Sequence, residues 1–252
     1  MQDGPHAERE PVREPMLNAP ASIVWVIGLL VAIHAGLDLL DENRRAWWKL
    51  TLAFIPSRYS ERAFPFTDDI DGAALWSFVT HQFIHADWPH VGLNCAWLLA
   101  FGGVVAKRIG MLRFATLGLT SGIAGAVLFL LFQWGEPTPM AGASGAVSGL
   151  MGAAFRFFFV ATDASGVHAA RNVSERVPRM SLRATLSDPR IRLFVAIWLF
   201  LNFASALAAP YLTDAGGIAW EAHLGGFAFG LFMFGFFDPQ NPAGGDERSP
   251  RR

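Results

Sequence analysis

Three stretches of this chain hold residues whose type and spacing permit chemistry. The first, THQFIHADWPHVGLN, spans residues 80–94 and carries His81, His85, His90 and Asn94. His90 and Asn94 are four apart, as are His81 and His85, so each pair shares a helix face. The spacing of His81 and His85 admits a metal reading, since imidazole is a common ligand. No HExxH motif is present and carboxylates to complete a site are scarce, so no metal is expected. Taken alone, the set reads as readily as polar side chains bonding nearby backbone. The second stretch, PTPMAGASGAVSGLMGAAF (137–155), sets Ser144 and Ser148 on one face beside Gly145, Gly149 and Gly152. Pro137 and Pro139 cannot sit inside a helix, which places a helix start near Ser144. Close helix packing is a sufficient account of the glycines. The string also misses the soluble-hydrolase GxSxG pattern, because Ala146 replaces its last glycine. The third, EAHLGGFAFG (221–230), places His223, Gly226 and Gly230 on one face. A plain GxxxG packing surface with an incidental histidine is the bland reading here. The functional reading of all three is that the glycine stripes bring His223 to Ser144, giving a nucleophile, a base and nearby donors.

The elements that would position these groups are membrane helices. Apolar residues make up 52% of the 252, charged residues only 16%, and mean hydropathy is +0.32. Soluble domains carry about 25% charge. A net charge of −1 leaves no electrostatic footprint for nucleic acid, and the single Cys95 cannot form an intrachain disulfide. Six segments approach the roughly 20 apolar residues a bilayer requires: 21–40, 88–106, 112–134, 144–160, 191–209 and 219–237. The first loop, 41–87, is too polar to span but rich in aromatics (Trp47, Trp48, Phe54, Phe64, Phe66, Trp76), as suits an interfacial or re-entrant segment. The 161–190 connection and the ends, 1–20 and 238–252, read as polar linker and tails, and the first twenty residues lack the pattern of a secretory signal. No internal repeat suggests a transporter. With six spans, fifteen of the twenty Lys and Arg residues fall on the side of the termini, which the positive-inside rule makes cytoplasmic. If Arg156 snorkels to that interface, Ser144 lies about 10 Å below the opposite surface. A helix start at that depth leaves N–H groups free in a wet cavity, where they can stabilise an oxyanion.

In HQFIHADWPHVGLN, GASG and AHLGGFAFG, taken in this order and layout, the sequence resembles the rhomboid family of intramembrane serine proteases over residues 21–237. The resemblance implies an all-α, six-transmembrane-helix bundle in a bacterial inner (cell) membrane. Ser144 would be the nucleophile and His223 the general base of a dyad. His90, Asn94 and the Ser144 N–H would serve the oxyanion. Gly142 opens the family's GxSG motif, and His85 matches a further, structural histidine. Gly226 and Gly230 are supporting positions. Substrates would be transmembrane proteins whose helix is weakened near its outer end, met within membrane lipid, and no cofactor is implied. Three departures stand out: Ser148 where an aromatic residue often stacks on the histidine, Trp76-Ser77 in place of a Trp-Arg pair, and a long 161–190 connection. With no carboxylate on the last helix after Glu221 to orient His223, close helix packing is expected to do so. Helix five and the 210–218 loop, with Gly216-Gly217, could form a gate. The rival reading is a rhomboid-like pseudoprotease that binds membrane helices without cutting, against which stands the presence of Ser144, His223, His90 and Asn94.

Overall fold

The computed structural model describes residues 19–60, 72–173, 176–212 and 218–239. Phe64, Phe66, Gly216, Gly217, residues 1–18 and residues 240–252 lie outside them. In chain order the helices are α1 (Ala21–Asp38), α2 (Glu42–Leu52), α3 (Ala73–Thr80), α4 (Trp88–Trp97), α5 (Gly103–Ile109), α6 (Met111–Phe132), α7 (Ser144–Ala154), α8 (Phe158–Val173), α9 (Leu182–Ser187), α10 (Pro189–Leu212) and α11 (Trp220–Phe237). Among the described residues the only β-type pairing is an isolated antiparallel bridge between Phe54 and Met140. This is an all-α membrane protein. Ala21–Asp38, Trp88–Ile109, Met111–Phe132 and Pro189–Ala208 are each long and apolar enough to cross a bilayer. α4 and α5 form one of these spans through a π-helical segment, Leu98–Gly102. α7 and the first part of α8 form a further, bent span, with 55° between them. α11 has 18 residues and opens with the polar Glu221 and His223. The 161–190 connection carries the rest of α8 and α9.

α6, α7 and α11 pack on one another through surfaces of very small residues. A Cβ on Gly226 would fall 2.8 Å from the Gly145 carbonyl carbon, and one on Gly230 would fall 2.7 Å from the Gly149 Cα. One on Gly225 would fall 2.8 Å from the Ala124 oxygen of α6. Backbone therefore lies directly on backbone, the approach that small residues permit between membrane helices. α10 is the opposite case. Only 6% of its apolar window is buried, and Leu193, Phe200 and Leu207 face outward.

The C-terminal ends of α5, α7 and α11 are tied together by charge. Arg108 donates to both carboxylate oxygens of Asp238, at 3.1 and 2.9 Å, and to the Val177 carbonyl at 3.0 Å. Its guanidinium also lies over the Phe157 ring. Arg156 does not snorkel to water: it is 5% exposed and donates to the Leu231 and Met180 carbonyls, each at 2.9 Å. The reason is local. Leu231 of α11 and Met180 of the connection turn their carbonyls toward this helix end inside the bundle, and the buried guanidinium bonds them in place of water. Arg179 does the same for Gly235, at 2.9 Å.

The first loop is fastened at the other end. Phe54 and Met140 exchange backbone hydrogen bonds of 3.0 and 2.8 Å. Trp76 Nε1 donates to Thr51 O, Thr80 Oγ1 to Leu52 O, and Lys49 Nζ to Ala86 O. Ser77 follows Trp76, and the guanidinium contacts come from Arg58 instead, which donates to the Ala53 and Leu50 carbonyls at 2.7 Å each. Trp47 and Trp48 are exposed, as interfacial aromatics are.

Candidate active site

α4, α7 and α11 run in the same direction, so their N-termini share one end of the bundle. His90 lies in the first turn of α4, Ser144 starts α7, and His223 lies in the first turn of α11. Three residues that the sequence separates by more than fifty positions are thereby drawn to one level.

The α7 start is built by the chain that precedes it. Gly142 has φ +126°, a conformation that only glycine holds without strain. A Cβ there would also fall 2.8 Å from two atoms of the His90 ring. The His90 imidazole is thus laid against the residue two before Ser144, with the His85 ring edge-on to it at 5.1 Å. His85 is buried, and its Nε2 accepts the Ala143 N–H at 3.3 Å. His81 Nδ1 donates to the Ser77 carbonyl at 2.7 Å, and the His81 carbonyl accepts the Gly142 N–H at 2.8 Å. His81 and His85 are therefore spent on backbone, His85 as a prop under the α7 start. Among the described residues no three His, Cys, Asp or Glu side chains cluster as a metal site.

The first helical bond of α7 runs from Val147 N–H to the Ala143 carbonyl, at 2.9 Å, and no side chain caps the helix. The N–H groups of Ser144, Gly145 and Ala146 precede that bond and have no partner within the helix. They point out of the α7 end with the positive pole of the helix dipole behind them. Ser144 is partly accessible at this end, whereas Ser148, one turn deeper, is buried. Asn94 is buried, and one hydrogen of its amide bonds the His90 carbonyl at 2.9 Å. That is the bland role its spacing allowed, and the second amide hydrogen remains for another acceptor.

His223 sits one turn before Gly226, which meets the Gly145 backbone next to Ser144. Glu221 is not its orienting partner, since it accepts from Gln133 Nε2 at 2.6 Å. The partner is Asn202 of α10, whose Oδ1 lies 2.5 Å from His223 Nδ1. Sequence reasoning missed this residue. The signal was present: Asn202 is a lone amide inside an apolar span, and polar groups at that depth default to function.

Comparison with known proteins gives a consistent picture. A model of the Rhomboid domain matches residues 72–238. Proteins named Rhomboid protease GlpG from Yersinia pestis (strain Pestoides F) and from Yersinia pseudotuberculosis serotype O:3 (strain YPIII) are each 25% identical over 170 residues, covering 67% of this chain and 50% of each relative. RHOMBOID-like protein 6, mitochondrial, of Arabidopsis thaliana is 33% identical over 84 residues, 33% of this chain and 27% of that protein. The chain spans about half the length of the first of these relatives.

Proposed function

Because the chain belongs to the rhomboid family, we propose that it is an intramembrane serine endopeptidase working through a Ser144–His223 dyad. The observation that carries this reading is the contact of Gly145 with Gly226, which sets Ser144 and His223 on adjoining turns of two helices packed backbone to backbone. Serine needs a neighbouring base to become a nucleophile at neutral pH. Ser144 Oγ attacks the scissile carbonyl as His223 Nε2 takes its proton. The imidazolium then returns that proton to the leaving amine. The oxyanion accepts hydrogen bonds from the unpartnered N–H at the α7 start, from the His90 ring and from the second Asn94 hydrogen. Water then repeats the attack on the acyl-enzyme, with His223 again as base.

A helical substrate hides its carbonyls in its own hydrogen bonds. The substrates proposed are therefore transmembrane proteins with a helix-weakened segment near the end where Ser144 opens. The same reading takes both termini as cytoplasmic, which the distribution of basic residues supports, in a bacterial inner membrane, which the similarity to Yersinia proteins supports only as far as a bacterial integral membrane protein.

The test uses the purified chain in detergent with a fluorophosphonate probe and a generic transmembrane reporter. The reading expects an adduct on Ser144, reporter cleavage, and loss of both in Ser144→Ala but not in Ser148→Ala. Labelling that survives Ser144→Ala and disappears in Ser148→Ala overturns the assignment.

A further inference from the structure

We propose that Asn202 is the positioning residue for His223, fixing which ring nitrogen carries the proton. This rests on the dyad proposed above. A neutral imidazole has one N–H and one lone pair, and the hydrogen bond made by one nitrogen decides the role of the other. Asn202 is 9% exposed, and its Nδ2 donates to the Trp198 carbonyl at 2.7 Å. That bond commits the amide nitrogen to its own helix and turns Oδ1, an acceptor only, toward His223 Nδ1 at 2.5 Å. Nδ1 must then hold the proton, leaving the Nε2 lone pair for Ser144.

The need for such a device is visible locally. Ser148, one turn beyond Ser144, offers no ring to stack on the imidazole, and among the described residues no aromatic ring contacts His223. Glu221 is engaged by Gln133. Among the described residues, the Asn202–His223 bond is also the one side-chain hydrogen bond joining α10 to α11. The remaining contacts between these helices include the Trp198–Phe227 and Phe203–Trp220 rings, one on each side of Asn202 along α10. They hold the amide at the height of the imidazole.

The experiment uses the full chain in detergent, labelled with 15N-histidine, with His223→Ala to assign the ring signals. Wild type should show a protonated Nδ1 and an unprotonated, pyridine-like Nε2. Asn202→Leu, similar in volume but without the acceptor, should give mixed tautomers. It should also lower kcat on the reporter by about 10- to 100-fold, the effect seen when the partner orienting a metal-ligating histidine is removed, with KM little changed. Asn202→Asp restores an acceptor and should recover most of the loss. A wild-type spectrum with the proton on Nε2 overturns the proposal whether or not the protein cleaves anything. So does an Asn202→Leu protein with wild-type spectrum and turnover. Absence of wild-type labelling and cleavage sinks the dyad instead, and the tautomer measurement still judges Asn202.

Discussion

Replacing Gly226 by alanine tests the idea that bare backbone, not a bonded network, aligns the two proposed reacting helices. The added Cβ would fall 2.8 Å from the Gly145 carbonyl carbon and nearer still to its oxygen, where ordinary contact begins at 3.4 Å. The obstacle is backbone, so no side chain can swing aside. α7 and α11 must part by something on the order of 1 Å, and a 1 Å misplacement costs about 10²-fold in rate. Overpacking a tight interior costs about 1–3 kcal/mol, while alanine returns about 1 kcal/mol in helix propensity. The net loss of stability should therefore be about 1 kcal/mol, far too little to unfold the protein. The signature is a turnover defect larger than the stability defect. Thermal unfolding in detergent, reporter cleavage and the rate of fluorophosphonate labelling give the three readings. Gly28→Ala is the control, since nothing lies within 4 Å of its would-be Cβ on α1. It should leave turnover unchanged. If Gly226→Ala matches that control in rate, alignment does not depend on the crossing, and the reasoning fails.

Other positions give separate readings. Asp238→Asn removes one partner of a pair whose side chains are both fully buried, leaving Arg108 charged in a dry site; it should cost about 3–5 kcal/mol in unfolding measurements. A neutral change there would mean that water reaches the pair. Asn94→Ala should lower kcat by about 10²–10³ with a smaller change in KM, as loss of an oxyanion donor does. If only melting temperature moves, the bond from Asn94 to the His90 carbonyl is its whole role.

The parts of the fold that could be read from the sequence are those carried by strong local signals. Pro137 and Pro139 forced a helix start near Ser144, and α7 begins at that residue. Glycines at 145, 149, 226 and 230 announced a close crossing, and their backbones meet. Signals that depend on three-dimensional partners were not readable. An arginine at a helix end snorkels when water is near, and nothing in the string around Arg156 says that Met180 and Leu231 would instead offer it carbonyls. The π-helical segment at Leu98–Gly102 lies inside an apolar run whose only local sign is the Gly102-Gly103 pair, which packing alone also explains. Asn202 looked like one amide among hydrophobes, because its meaning comes from a histidine twenty-one positions away on another helix.

These differences follow a division between the two ends of the bundle. At the C-terminal ends of α5, α7 and α11, Arg108, Arg156 and Arg179 bond carbonyls and a carboxylate of neighbouring segments, so the helices are fixed by strong, directional, charge-assisted contacts. At the N-terminal ends the positions are set by absence of side chains and by neutral imidazoles on backbone, which leaves N–H groups of α7 unclaimed. A site meant to stabilise a transient anion needs that arrangement, since donors already satisfied by the protein have nothing to give the transition state. α10 joins this end through the Asn202–His223 bond and the Trp198–Phe227 and Phe203–Trp220 rings, while only 6% of its apolar window is buried. Of the helices around the candidate site it is the one whose displacement breaks the fewest contacts. Displacing it would also release the Nδ1 proton of His223 from its acceptor. In the proposed mechanism, a displacement of α10 and the tautomer of the proposed base, His223, are thus tied to the same hydrogen bond.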